Sequence, residues 1–298
     1  MRYSFNILRR FMSNLHFLMF LNGFLLASTA YFLMESTYEN GLFASIKADV
    51  ESRLDANDSS DSLFVKAMNE SYHLMHNRAN TFVTQANILG PEGGVFHSTS
   101  VDLMTSNGAC GSYSQVLARI IRTFNFPVRI AQMKANGIYA AHNVVEANNG
   151  KRWILLDPTY DLYFVRPDAQ LASFADVHQD WSYYSRQVPA GYNPLYRYEG
   201  VRYTNWSKVP ILFPAIRKIL NLTIGAERTD GMSIRTLCMN TYSIYFYIFL
   251  VLETILFVIT FKRYVKLVVL PRRNAYPVAS RGFAKYFNVR EKDTSWLQ

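Results

Sequence analysis

Cys110, His142 and Asp157 are side chains of the kinds that together perform nucleophilic acyl chemistry. The thiolate is the reactive form of cysteine, and the positive end of a helix favours it. Gly108-Ala109-Cys110 reads as the opening of a helix. A neighbouring imidazole takes the thiol proton and later returns it to a leaving group. A carboxylate on the other ring nitrogen fixes tautomer and orientation. The chemistry implied is attack on a carbonyl carbon through a thioester. Gly108 and Gly111 would leave room for that carbonyl. The developing oxyanion needs donors: the Cys110 amide is one, and Gln85 and Asn107 are the side-chain candidates.

These three residues need elements that bring them together. Apolar residues at helical spacing predict a helix over 110–124, with Val116, Leu117, Ile120, Ile121 and Phe124 facing a core. An earlier helix over 62–83 turns Leu63, Phe64, Ala67, Met68, Leu74, Met75 and Phe82 inward. Val128 to Met133 reads as a strand after Pro127. Asn149-Gly150 then lies between two apolar runs, the strongest short hairpin signal. A two-residue loop at 149–150 predicts His142 directly opposite Asp157, on one face of the sheet. A three-residue loop would instead set Leu156 opposite His142 and send Asp157 to the other face.

The motifs around these residues resemble the transglutaminase-like superfamily. They run Asn107-Gly108-Ala109-Cys110-Gly111, a helix, Pro127-Val128-Arg129, Ala141-His142-Asn143-Val144-Val145-Glu146, then Trp153-Ile154-Leu155-Leu156-Asp157-Pro158-Thr159. The resemblance covers about residues 65–165. It implies an α+β, papain-like core in which a cysteine-bearing helix packs on an antiparallel sheet. It implies Cys110 as nucleophile, His142 as base and Asp157 as orienting carboxylate. Arg129 matches a recurrent structural arginine and Trp153 a packing tryptophan, while Glu146 is the glutamate four residues after the histidine. An aromatic residue often found two places after the histidine is Val144 here. No acidic loop looks like a calcium site, so thiol-based acyl chemistry is better supported than calcium-regulated crosslinking. The expected substrates are a protein, a peptide or an envelope polymer, with no cofactor and no metal.

Charge and hydropathy place this core. Leu15 to Met34 has no charge, and Tyr242 to Phe261 carries only Glu253; each is long enough to span a bilayer. The net charge of +9 lies outside these segments. Arg2, Arg9 and Arg10 precede the first, and the chain from 242 onward carries nine Lys and Arg against three acids. The middle, 35–241, is balanced. Both termini are therefore expected in the cytoplasm and the domain on the other side. A nucleic-acid face would be basic on the folded domain itself, so no nucleic-acid partner is expected. Arg9-Arg10, an apolar stretch and Ser28-Thr29-Ala30 also follow the order of a signal peptide. The stretch is long for one, and an uncleaved anchor is expected.

The expected order is thus a cytoplasmic 1–14, a transmembrane helix 15–34, a polar linker 35–61, an exported domain 62–240, a transmembrane helix 242–261 and a basic cytoplasmic tail 262–298. Two spans are few for a transporter. Only two cysteines are present, Cys110 and Cys238, so the domain is not a disulfide scaffold. Asn22 and Glu253 fall at similar depths in the two spans and are expected to hydrogen-bond. His73 and His76 are three apart on a helix, a spacing that would suit a metal only with a third ligand. The aromatics of 160–206 are either the wall of a cleft or chain packed over the sheet, and packing is the commoner use. The rival to an enzyme is a non-catalytic envelope module that keeps the fold for binding.

Overall fold

The computed structural model describes residues 14–82, 97–106, 109–237 and 239–270. Gln85, Asn107, Gly108 and Cys238 lie outside them. The chain is α+β, with helices α1 (Leu15–Ser52), α2 (Ser60–Phe82), α3 (Thr99–Thr105) and α4 (Cys110–Thr123) before the first strand. Strands β1 (Val128–Ala135), β2 (Ile138–Asn148), β3 (Trp153–Asp157), β4 (Leu162–Tyr163) and β5 (Val201–Arg202) form one sheet. Its order is β4-β3-β2-β1-β5, with every pair antiparallel. Helices α5 (Phe174–Gln179) and α6 (Trp181–Tyr184) precede β5. Helices α7 (Leu212–Ile224), α8 (Ala226–Asp230), α9 (Ile234–Leu237) and α10 (Thr241–Tyr264) follow it.

The chain divides into two compact units. The larger, Leu33–Ile244, holds the sheet. One sheet face presents Ile130, Val145, Ala147, Ile154 and Leu156 to α2 and α4. Val116, Leu117, Ile120 and Ile121 of α4 are fully buried there, as their spacing predicts. Each such side chain contributes roughly 1.5–3 kcal/mol relative to exposure. The other face presents Ala131, Met133, Val144 and Leu155 to the aromatic stretch after β4. Phe164, Phe174, Tyr184, Tyr192 and Tyr198 are buried in this second core. Most of the aromatic stretch is therefore packing.

Residues 36–52 are helix rather than linker. Phe43, Ile46 and Val50 recur at helical spacing and are buried in the first core. Their polar neighbours also have partners. Glu39 accepts from the Ser100 amide at 2.9 Å, and Asn40 Oδ1 accepts from Arg119 at 2.5 Å. Only the short stretch from Arg53 to Ser59 is left outside α1 and α2.

The smaller unit contains the described residues 14–32 and 245–270. Two helices among the described residues, Leu15–Ser52 and Thr241–Val269, are long and apolar enough to cross a membrane. Within this unit Phe32 packs on Tyr245 and Phe249, with ring centroids 5.2 and 5.1 Å away. Asn22 donates to Thr260 Oγ1 at 2.8 Å, not to Glu253. Glu253 precedes Thr260 by two helical turns, about 10 Å along the axis. Counting inward from the ends of the apolar runs therefore misjudged the depth of Glu253 relative to Asn22 by about two turns.

Candidate active site

The hairpin turns one position later than Asn149-Gly150 predicts. The Asn149 side chain accepts the amides of Lys151 and Arg152, both at 3.0 Å, and so forms the first corner of the turn. Gly150, at φ +90, and Lys151 are its central residues. Glycine leading the central pair is the type II′ pattern. Val145 therefore faces Leu156 and Asn148 faces Trp153, shifting the pairing by two residues. A shift of two keeps every side chain on its face, whereas a shift of one would have reversed them all. Asp157 is thus diagonal to His142 rather than directly opposite, and His142 Nε2 lies 2.8 Å from Asp157 Oδ2.

Cys110 is the first residue of α4 and is partly buried. Ala109, before it, has φ 46 and ψ −128, a backbone conformation that suits glycine. Ser114, one turn on, donates its hydroxyl to the Asn143 carbonyl at 3.0 Å and ties the helix to β2. A Cβ added to Gly111 would meet Asn143 Nδ2 at 3.9 Å, ordinary contact, so packing does not demand glycine there. His142 is the first residue of the unbroken stretch of β2, His142 to Ala147, that pairs with β1. Met133 faces His142, but Lys134 faces Tyr139, and Ala140 has φ 68. At this irregular point His142 and Asn143, on alternate faces of the strand, both reach the sulfur.

Burial pushes the Cys110 thiol up, but the hydrogen bond and charge of His142, joined by Asn143, outweigh it and leave the thiol below its ordinary value. Burial pushes His142 down, and the charge and hydrogen bond of Asp157 reverse this, raising it to about 9. Nε2 is occupied by Asp157, which leaves Nδ1 for the sulfur. The balance favours a thiolate–imidazolium pair. Asp157 is fully buried and its second oxygen accepts the Thr159 amide at 3.2 Å. Tyr196 stacks on the His142 ring at 4.5 Å and 12°, and Tyr160 meets it edge-on at 5.9 Å. These two tyrosines, unlike the packed ones, belong to the site.

No protein-family model, curated protein or solved structure matches the chain.

The site also holds residues that sequence reasoning missed. Asn143 donates from Nδ2 to Cys110 Sγ at 3.4 Å, and its Oδ1 accepts from Arg235 at 3.2 Å. Asn143 sits beside His142 in sequence, but strict alternation sends its side chain away. Arg235, on α9, has no motif that points to it. Away from the sulfur, Arg129 bonds Glu146 at 3.0 Å and is held between the rings of Trp153 and Tyr203 at 4.1 and 3.9 Å. A planar guanidinium fits that slot and a lysine ammonium does not. His97 pairs with the buried Asp102 at 2.9 Å, and Ser112 also donates to Asp102. His178 contacts the Tyr198 carbonyl at 2.7 Å. His76 stacks on Tyr72, and no cluster of three metal-ligating side chains exists among the described residues.

Proposed function

We propose that the chain is a membrane-anchored cysteine enzyme with a transglutaminase-like, papain-like core, acting on amide bonds through a thioester at Cys110. The observation that carries this reading is a single imidazole bonded to a buried carboxylate and to a thiol whose ionisation it favours. The motifs quoted above, from Cys110 to Pro158, support the same reading.

The thiolate attacks the amide carbonyl carbon, forming a C–S bond and an oxyanion. The Cys110 amide, at the open end of α4, is a donor to that oxygen. Collapse breaks the C–N bond, and the His142 imidazolium gives its proton to the departing amine. Water or a second amine, deprotonated by His142, then attacks the thioester carbon. The C–S bond breaks and the thiolate returns. Asp157 keeps the ring oriented throughout and stabilises its charged form. A module that only binds has no need of an imidazole on the thiol.

Rapid acid quenching of the full chain in its native membrane tests the reading. The Cys110 peptide should carry an acyl group that neutral hydroxylamine removes, and its mass identifies the substrate. No acylation of Cys110, together with ordinary thiol ionisation, would overturn the enzyme reading in favour of the binding module.

The charge asymmetry about the two apolar helices supports a topology with both termini in the cytoplasm and the domain outside. Reporter fusions at Asn205 and Gln298 should report opposite sides of the membrane. The same side for both refutes this topology.

A further inference from the structure

A cleft of about 350 Å³ opens beside the site, lined by Gln132, Arg202, Thr204, Lys208, Phe213 and Arg235 among others. It begins one side chain from the sulfur, because Arg235 bonds Asn143, which in turn bonds Cys110 Sγ. Its charge is one-sided. Arg202 spends its Nε on Gln132 Oε1 at 2.8 Å and lies over the Tyr139 ring. Among the described residues Arg235 donates to the neutral Asn143 amide oxygen. No acidic side chain among the described residues lines the cleft. Arg202 and Arg235 are both partly buried, and Lys208 is exposed at the rim. Burial weakens the hold of Arg235 on its proton and Arg202 adds repulsion, while Cys110 and Asp102 counter them.

Asp102 acts on Arg235 only through its longer-range charge, and two partly buried guanidinium groups with no carboxylate in direct contact are costly unless an anion joins them. A guanidinium fork matches a carboxylate with two parallel hydrogen bonds. Phe213 and Ile234 add apolar surface that suits the aliphatic stem of an acidic residue. We propose that this cleft is the subsite for a substrate carboxylate, so that Cys110 acts on an amide within a side chain's reach of an acidic group in a peptide. This rests on the enzyme reading of Cys110 given above.

Competitive alkylation of the full chain in detergent separates the two ideas. Iodoacetate and iodoacetamide both form a C–S bond and expel iodide, but only iodoacetate brings a carboxylate. The two products at Cys110 are distinguished by mass. The ratio of carboxymethyl to carbamidomethyl product should exceed that of free cysteine by about tenfold, the worth of one charge-assisted pairing. It should fall toward the free-cysteine ratio in Arg202→Gln and, more weakly, in Lys208→Gln at the rim. Glutarate should suppress the carboxymethyl product more than inorganic phosphate does. If Cys110 reacts fast with iodoacetamide but shows no preference for iodoacetate, the subsite is refuted and the enzyme reading stands. Stronger protection by phosphate overturns the carboxylate assignment. If Cys110 reacts with both reagents as an ordinary thiol, the enzyme reading fails and the subsite with it.

Discussion

Replacing His142 by alanine should slow alkylation of Cys110 by iodoacetamide at pH 6 by about tenfold or more. A free thiol ionises near pH 8.5, so at pH 6 only a small fraction is thiolate. In the parent protein the hydrogen bond and charge of His142 favour the anionic sulfur against the cost of burial. Without the ring, burial acts with only Asn143 and the helix opposing it, and the pH profile should move toward or beyond that of a free thiol. Asn143→Ala provides a milder comparison that leaves the His142–Asp157 pair in place. It removes one weak donor at 3.4 Å, and the profile should move the same way by less. The measurement is the alkylation rate at Cys110 against pH for the three proteins, with near-ultraviolet circular dichroism to verify folding. If all three profiles coincide with that of a free thiol, His142 does not activate Cys110.

The His142–Asp157 pair should make the domain less stable as pH rises from 6.5 to 9. Below 6.5 the ring is protonated in both folded and unfolded chains, and the buried pair contributes in full. Between 6.5 and about 9 the folded chain keeps a proton that the unfolded chain has lost. Stability therefore falls with pH across this window and levels off above it. Cys110→Ala isolates the effect, since it removes the thiol that shares the proton. At about 1.4 kcal/mol per pH unit the full window corresponds to about 3.5 kcal/mol, and to roughly 2–3 kcal/mol in Cys110→Ala, which lacks the thiol's own share in raising the ring. That corresponds to about 5–10 °C in apparent melting temperature for a domain of this size. Adding Asp157→Asn should flatten the slope, leaving the double variant less stable at pH 6 and nearly equal at pH 9. Parallel melting curves for the two proteins at every pH would show that the pair does not carry this linkage.

The elements around the site were legible because local signals agree with the global fold. Val116, Leu117, Ile120 and Ile121 gave the face of α4, and the run from Trp153 to Asp157 gave β3. The exact pairing of the hairpin was not legible. It depends on whether asparagine leads the turn with its side chain or occupies the centre with its backbone, and one Asn-Gly dipeptide allows both. The site residues still meet, because parity of register is far more constrained than register itself. The helix at 36–52 was hidden by composition: its buried stripe of Phe43, Ile46 and Val50 is sparse among acids and amides. Arg235 was out of reach for another reason. It meets Asn143 across 92 positions of chain, and no periodicity encodes such a contact. The partner of Asn22 was misassigned because the ends of an apolar run do not fix depth to within a turn: Asn22 meets Thr260, two turns from Glu253 on nearly the same helix face.

Ala109 ties the aim of the nucleophile to the mutational freedom of the chain. At φ 46 and ψ −128 it sits where only glycine is at ease, and a side chain there costs on the order of 1–3 kcal/mol. Glycine would remove that strain while adding back some entropy to the unfolded chain. Ala109→Gly should therefore raise the melting temperature slightly, yet it frees the peptide that presents Cys110 to its partners. Larger side chains would deepen the strain. The position is left with two practical occupants, one favouring durability and the other a fixed line of attack. The two are weighed against each other by a single methyl group. Melting and alkylation of Ala109→Gly measured side by side would reveal the exchange, and no change in either would show that the strained backbone carries no such cost.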